Sequence, residues 1–132
     1  MNGLRRFGKF NLVGLLGAVL QLLLFSLLIR AGHLSATMAA VIAVEIAIVH
    51  NYLWHERFTW RDREPLNLRQ RMIRLWRFHA GNGMVSLTGN AALTYAFVEW
   101  LGVPTVISAV VAIALCAPAN FWLADRWVYA AD

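Results

Sequence analysis

One acid interrupts an otherwise uncharged run of the sequence. Leu34–Trp54 holds no charge except Glu45, near its middle. A carboxyl group at such a depth in an apolar segment needs a partner or a wet cavity. It could hold a ligand's hydroxyl, exchange a proton, or pair with an arginine of a neighbouring chain; a bond to Gln21 or Asn90 would make it purely structural. Those two amides sit at similar depth in other apolar runs, either as glue between helices or as part of a polar ring around Glu45, with Asn82 and Thr88 extending it. Near the ends of two runs stand "NYLWHERFTW" (Asn51–Trp60) and "NFWLADRWVY" (Asn120–Tyr129). Each carries an Asn, then an acid followed directly by Arg57 or Arg126. An arginine fork suits a phosphate. It could equally pair with the adjacent Glu56 or Asp125, and Arg74 and Arg77 stand in reserve.

These residues require apolar elements to carry them. The chain is 60% hydrophobic and only 14% charged, too apolar for an ordinary soluble core. Phe10–Ile29 and Val103–Ala124 are uncharged, and Ala80–Trp100 holds only Glu99. With Leu34–Trp54 this gives four runs of about 20 residues, each enough to cross a bilayer as a helix. The first is too long for a cleavable signal peptide and lacks a small-residue cleavage site. The expected fold is therefore an all-α membrane protein of four transmembrane helices, one membrane domain over residues 1–132.

The two motifs lie 69 residues apart, and Gln21 matches Asn90 at the same offset. "RFGKF" (Arg6–Phe10) before the first run pairs with "RLWRF" (Arg74–Phe78) before the third. Ala40, Val44, Ala47 and Asn51 share a helical face, matched by Ala109, Ile113, Cys116 and Asn120. The reading is two parallel-oriented helical-hairpin repeats, about 6–60 and 74–129, facing a shared centre. A cytoplasmic linker of about 61–77 lies between. Within it "LNLRQRMIRLWRF" puts Leu68, Met72, Leu75 and Trp76 on one arc and most arginines on the other, after Pro65. That pattern predicts a short amphipathic helix in the membrane interface.

Eleven of the twelve basic residues fall in the two termini and the central linker; Arg30 is the exception. By the positive-inside rule both termini face the cytoplasm. The net charge of +5 is thus a lipid-facing bias rather than a sign of nucleic-acid binding. Trp54, Trp60, Trp76, Trp122, Trp127 and Tyr129 gather on that side as an interfacial belt, with Trp54 and Trp122 as candidate ring-stacking contacts. His50, His55 and Glu56 lack the spacing of two metal ligands one turn apart, so no metal or other cofactor is expected. The lone Cys116 reads as packing, and Pro118 as a bend in the fourth run. No nucleophile–base pair or phosphate-cradling glycine loop is visible, so no catalytic residue is assigned.

The opening "RF..F...G" and the doubled Asn-aromatic-x-x-x-acid-Arg-aromatic-x-aromatic ending resemble the GtrA-like family, over nearly the whole chain. The resemblance implies movement of a polyprenyl-phosphate-linked monosaccharide across the cytoplasmic membrane for cell-surface polysaccharide. On that reading Glu45, Gln21, Asn90, Asn51 and Asn120 would contact the sugar, and Arg57, Arg126, Arg74 and Arg77 the lipid phosphate. A homodimer and a membrane glycosyltransferase are the expected partners. Two other readings stay open: a small multidrug-type cation exporter and a non-transporting anchor for a glycosyltransferase. The halves also differ, since the second copy has Ala119, Ala124 and Asp125 where the first has His50, His55 and Glu56.

Overall fold

The computed structural model describes residues 3–32, 34–63 and 67–130. Pro65, expected just before the linker helix, and His33, in the first tight connection, lie outside them. Among the described residues the chain is helical, without strands. It divides into two compact units, Met1–Glu64 and Pro65–Asp132.

In the first unit, α1 (Gly3–Gly32) is an unbroken helix of 30 residues, roughly 45 Å long at 1.5 Å per residue. The Ser35 hydroxyl then caps α2 (Ala36–Trp54) by accepting from the Met38 N–H at 3.3 Å. A single π turn, His55–Thr59, closes α2, and a short 3₁₀ turn, Arg61–Arg63, follows. Lys9 meets Phe58, Phe10 meets His55, and Gly17 meets Asn51, so the two helices run antiparallel.

The second unit opens with α3 (Leu68–Gly83). Asn67 starts it with a reciprocal cap: the Gln70 N–H donates to the Asn67 side chain at 2.9 Å, and the Asn67 N–H to the Gln70 side chain at 3.2 Å. The expected interfacial helix is not a separate element. It forms the first turns of α3, which continues through a π turn, Met84–Gly89, into α4 (Asn90–Glu99). Backbone hydrogen bonding carries helix straight through Phe78 because neither proline nor a left-handed residue interrupts it. Gly102, at φ 65°, ends this rod; its N–H reaches the Val98 carbonyl at 3.2 Å. α5 (Thr105–Leu123) returns, passes Pro118 without breaking, and closes in a π turn, Ala124–Val128.

Among the described residues three helices are apolar and long enough to cross a membrane: Gly3–Ala31, Ala36–Thr59 and Thr105–Val128. Their outer faces carry exposed Leu15, Leu22, Leu27, Val106 and Val110, as hydrocarbon surroundings permit. The buried seam of α2 is Ala39, Ala43 and Ala47; that of α5 is Ser108, Ala112 and Cys116. Each seam keeps one residue of the expected face, Ala47 or Cys116, and otherwise runs one residue round from it, through Ala39 and Ala43 and through Ser108 and Ala112. The helices approach on their smallest side chains, which leaves Val44 and Ala109 partly buried and Ile113 exposed.

Candidate functional site

The basic end of each hairpin is built from the same parts. In the first, the π turn is closed by the Trp60 N–H donating to the His55 carbonyl at 2.8 Å. In the second, the Tyr129 N–H donates to the Ala124 carbonyl, also at 2.8 Å. Trp60 and Tyr129 are fully buried. Phe10 packs edge-on against Trp60 with ring centres 5.9 Å apart, and Phe78 against Tyr129 at 6.3 Å. A basic side chain of the opposite helix then takes a carbonyl of each turn. Lys9 Nζ donates to the Phe58 carbonyl at 3.2 Å, and Arg77 Nη1 reaches the Trp127 carbonyl at 3.5 Å. Cations suit this place because carbonyl dipoles point out of a helix C-terminus.

The consecutive acid and arginine of each motif turn to opposite sides. Glu56 is 2% exposed and accepts from the Tyr52 hydroxyl at 3.2 Å, whereas Arg57 is exposed. Asp125 is partly buried and Arg126 exposed. Neither Arg57 nor Arg126 makes a hydrogen bond or ion pair among the described residues. Arg74 and Arg77 are committed differently: the Arg74 guanidinium lies 5.2 Å from the centre of the Tyr129 ring, and Arg77 holds the Trp127 carbonyl. Both thus also touch their own hairpin, which Arg126 does not among the described residues.

The remaining aromatic and histidine positions sort by burial. His55 is sealed in the turn, stacked on Phe10 at 4.8 Å and sharing a 3.0 Å hydrogen bond with Thr59. Trp54 and Trp122 are exposed, Trp54 beside His50 and Phe58. Arg6 is buried and bridged to Asp62 at 2.7 Å, a contact sequence reasoning missed.

Deeper in each hairpin, the two motif asparagines face equivalent positions of the opposite helix. Asn51 fills the space over Gly17, where an added Cβ would overlap its amide, and its Oδ1 lies 3.2 Å from His50 Nδ1. Asn120 donates to the Ser86 hydroxyl at 3.2 Å. Gly17 and Ser86 are 69 residues apart, like Asn51 and Asn120. The basic ends match differently, because Phe10 and Phe78 are 68 apart while Trp60 and Tyr129 are 69 apart. One extra residue has thus entered between Phe78 and Ser86, and α1 has no counterpart of the π turn at Met84–Gly89. A π turn is how a helix absorbs one added residue without losing its course. The changing offset was the sequence signal for it.

Gln21 is partly buried in the first hairpin. Glu45 lies on the exposed side of α2, away from the Ala43–Ala47 seam. In the second hairpin Asn82 is partly buried, and Thr88 is exposed with its hydroxyl turned back to the Met84 carbonyl. Asn90 and Asn120 are partly buried, and each buries its carbonyl oxygen with no hydrogen-bond partner among the described residues.

No curated protein matches the chain. The model of the GtrA/DPMS transmembrane-domain family matches residues 9–129, from Lys9 to Tyr129, and so takes in both hairpins and both π-turn ends. The chain is a membrane protein of the GtrA/DPMS transmembrane-domain family.

Proposed function

We propose that this protein moves a polyprenyl-phosphate-linked monosaccharide across the cytoplasmic membrane, for transfer to a cell-surface polysaccharide. Family membership links it to the handling of such lipids. One observation carries the reading: Arg57 and Arg126, at repeated positions, are exposed and make no ion pair among the described residues, while their neighbouring acids turn inward. That leaves one uncommitted guanidinium at the end of each hairpin, suited to a phosphate at headgroup level. In this reading α1, α2, the α3–α4 rod and α5 are four spans, with both termini and the arginines in the cytoplasm. The exposed apolar and basic residues at the start of α3, Leu68, Met72, Trp76, Arg69 and Arg71, rest on the anionic inner leaflet. Captured by Arg57 or Arg126, the phosphate holds the carrier while the sugar crosses along polar groups including Glu45. Because Glu45 faces away from its own seam, the path runs between this chain and a second copy, a homodimer. A periplasmic transferase that consumes the sugar gives direction. The protein itself makes and breaks no covalent bond.

The test is the affinity of the purified protein in nanodiscs for citronellyl phosphate, a short prenyl phosphate without sugar. The double change Arg57→Gln and Arg126→Gln should weaken binding about tenfold or more, as for loss of charge-assisted bonds. Binding that is absent, or indifferent to both changes, would point to an anchor that recruits a glycosyltransferase.

A further inference from the structure

The two hairpins are copies at their basic ends and differ inside. In the first, the polar interior is closed: the Asn51 amide occupies the space over Gly17, its Oδ1 faces His50, and α1 runs unbroken past it. In the second, Asn120 spends its amide on Ser86, and the buried Oδ1 atoms of both Asn120 and Asn90 have no partner among the described residues. Buried carbonyl oxygens are normally paired, and leaving them unpaired is costly. Two such acceptors in one hairpin therefore point to a guest.

Their placement is local to that hairpin. Ser86 and Asn90 stand one turn apart on the α3–α4 rod, as Cys116 and Asn120 do on α5. The rod and α5 touch at these positions: a Cβ added to Gly89 would come within 2.9 Å of Cys116 Sγ. The π turn spans Met84–Gly89 and delivers Asn90 to the start of α4, so the inserted residue sits where the two hairpins part in chemistry. Single π turns often mark functional positions in helices.

We infer that the second hairpin alone holds the hydroxyl groups of the transported headgroup, on the side-chain carbonyls of Asn90 and Asn120 beside the Ser86 hydroxyl. The inference rests on the proposed function and assigns its sugar contacts to one half of the molecule. Two carbonyl acceptors suit a neutral donor, whereas a phosphate would be repelled and a prenyl chain would leave both oxygens unpaired. A metal cation would ask for more oxygen ligands and a carboxylate. The first hairpin then contributes a phosphate anchor and, through Glu45, the path along which the headgroup leaves, so the sequence twofold does not extend to the site that holds the sugar.

The experiment compares nanodisc affinities for citronellyl phosphate and for citronellyl-phosphoryl glucose, galactose and mannose. At least one hexose should bind roughly tenfold more tightly than the bare phosphate, as two added hydrogen bonds allow. Asn90→Ala with Asn120→Ala should erase that advantage and leave the affinity for citronellyl phosphate unchanged. Asn90→Ala alone breaks no hydrogen bond of the fold and should remove part of the advantage, which guards against misfolding of the double variant. Gln21→Ala in the first hairpin should leave the advantage whole. If no hexose gains over the bare phosphate, or the gain survives the double change, the two carbonyls are served by trapped water or left unpaired and the inference fails. Loss of the gain in Gln21→Ala as well would also overturn it, by returning the sugar to both hairpins. If citronellyl phosphate itself does not bind, the proposed function fails first.

Discussion

Glu56 and Arg57 are neighbours in sequence and opposites in the fold, and the pair recurs as Asp125 and Arg126. The usual expectation for adjacent opposite charges near a helix end is a weak local ion pair, worth under about 1 kcal/mol when exposed. Here the turn faces Glu56 inward to the Tyr52 hydroxyl and Arg57 outward, so the acid is spent inside the hairpin and the base stands exposed, as the proposed phosphate site requires. The division of labour predicts separable effects. Tyr52→Phe should lower the unfolding free energy by about 1 kcal/mol, the worth of one hydrogen bond, in a detergent-unfolding titration. The same variant should bind citronellyl phosphate like the wild type. Had Glu56 been the phosphate site's counter-ion, binding would change too.

At the scale of elements, the hairpins were legible because charges punctuate the sequence: each apolar run ends where arginines or tight turns begin. Their repetition was legible because Asn51–Trp60 and Asn120–Tyr129 keep residue character at a fixed offset. Both asparagines face the opposite helix of their hairpin, and the matched positions they meet, Gly17 and Ser86, differ too much in residue type to stand out in the sequence. The buried seams were found at Ala47 and Cys116 and misplaced by one residue elsewhere. Ala39, Ala43 and Ala47 repeat as faithfully as the Ala40 set, and only packing decides that the smallest side chains meet. The π turns were not legible as such, because an i to i+5 hydrogen bond leaves no compositional mark; one left an indirect trace as a shift of offset from 68 to 69. Nor did composition reveal that the amphipathic linker and the third apolar run are one rod. The close approach of α1 and α2 gives a direct prediction. Gly17→Ala must displace the Asn51 amide and should cost about 1–3 kcal/mol of hairpin stability in the same unfolding titration. Ser86→Gly, which makes the second hairpin resemble the first, should cost under about 1 kcal/mol, since one interhelical hydrogen bond in a membrane is weak.

For the whole molecule, the unresolved tension of the sequence is an acid in the middle of an apolar span, and the fold sharpens it. Glu45 is exposed, on a helix whose other face packs on small residues. An acid in that position is costly in hydrocarbon and is therefore expected at a wet path or a subunit contact. An anchor for another enzyme has no use for an acid there. The most direct measurement is the rate at which a polyprenyl-phosphate monosaccharide becomes accessible on the far side of liposomes, with wild-type protein, with Glu45→Ala, and without protein. The account predicts that the wild type accelerates crossing severalfold over protein-free liposomes and that Glu45→Ala, folded and still binding citronellyl phosphate, loses that acceleration. Equal rates in all three, with the lipid phosphate bound, would contradict translocation and leave an anchor that binds its lipid without moving it.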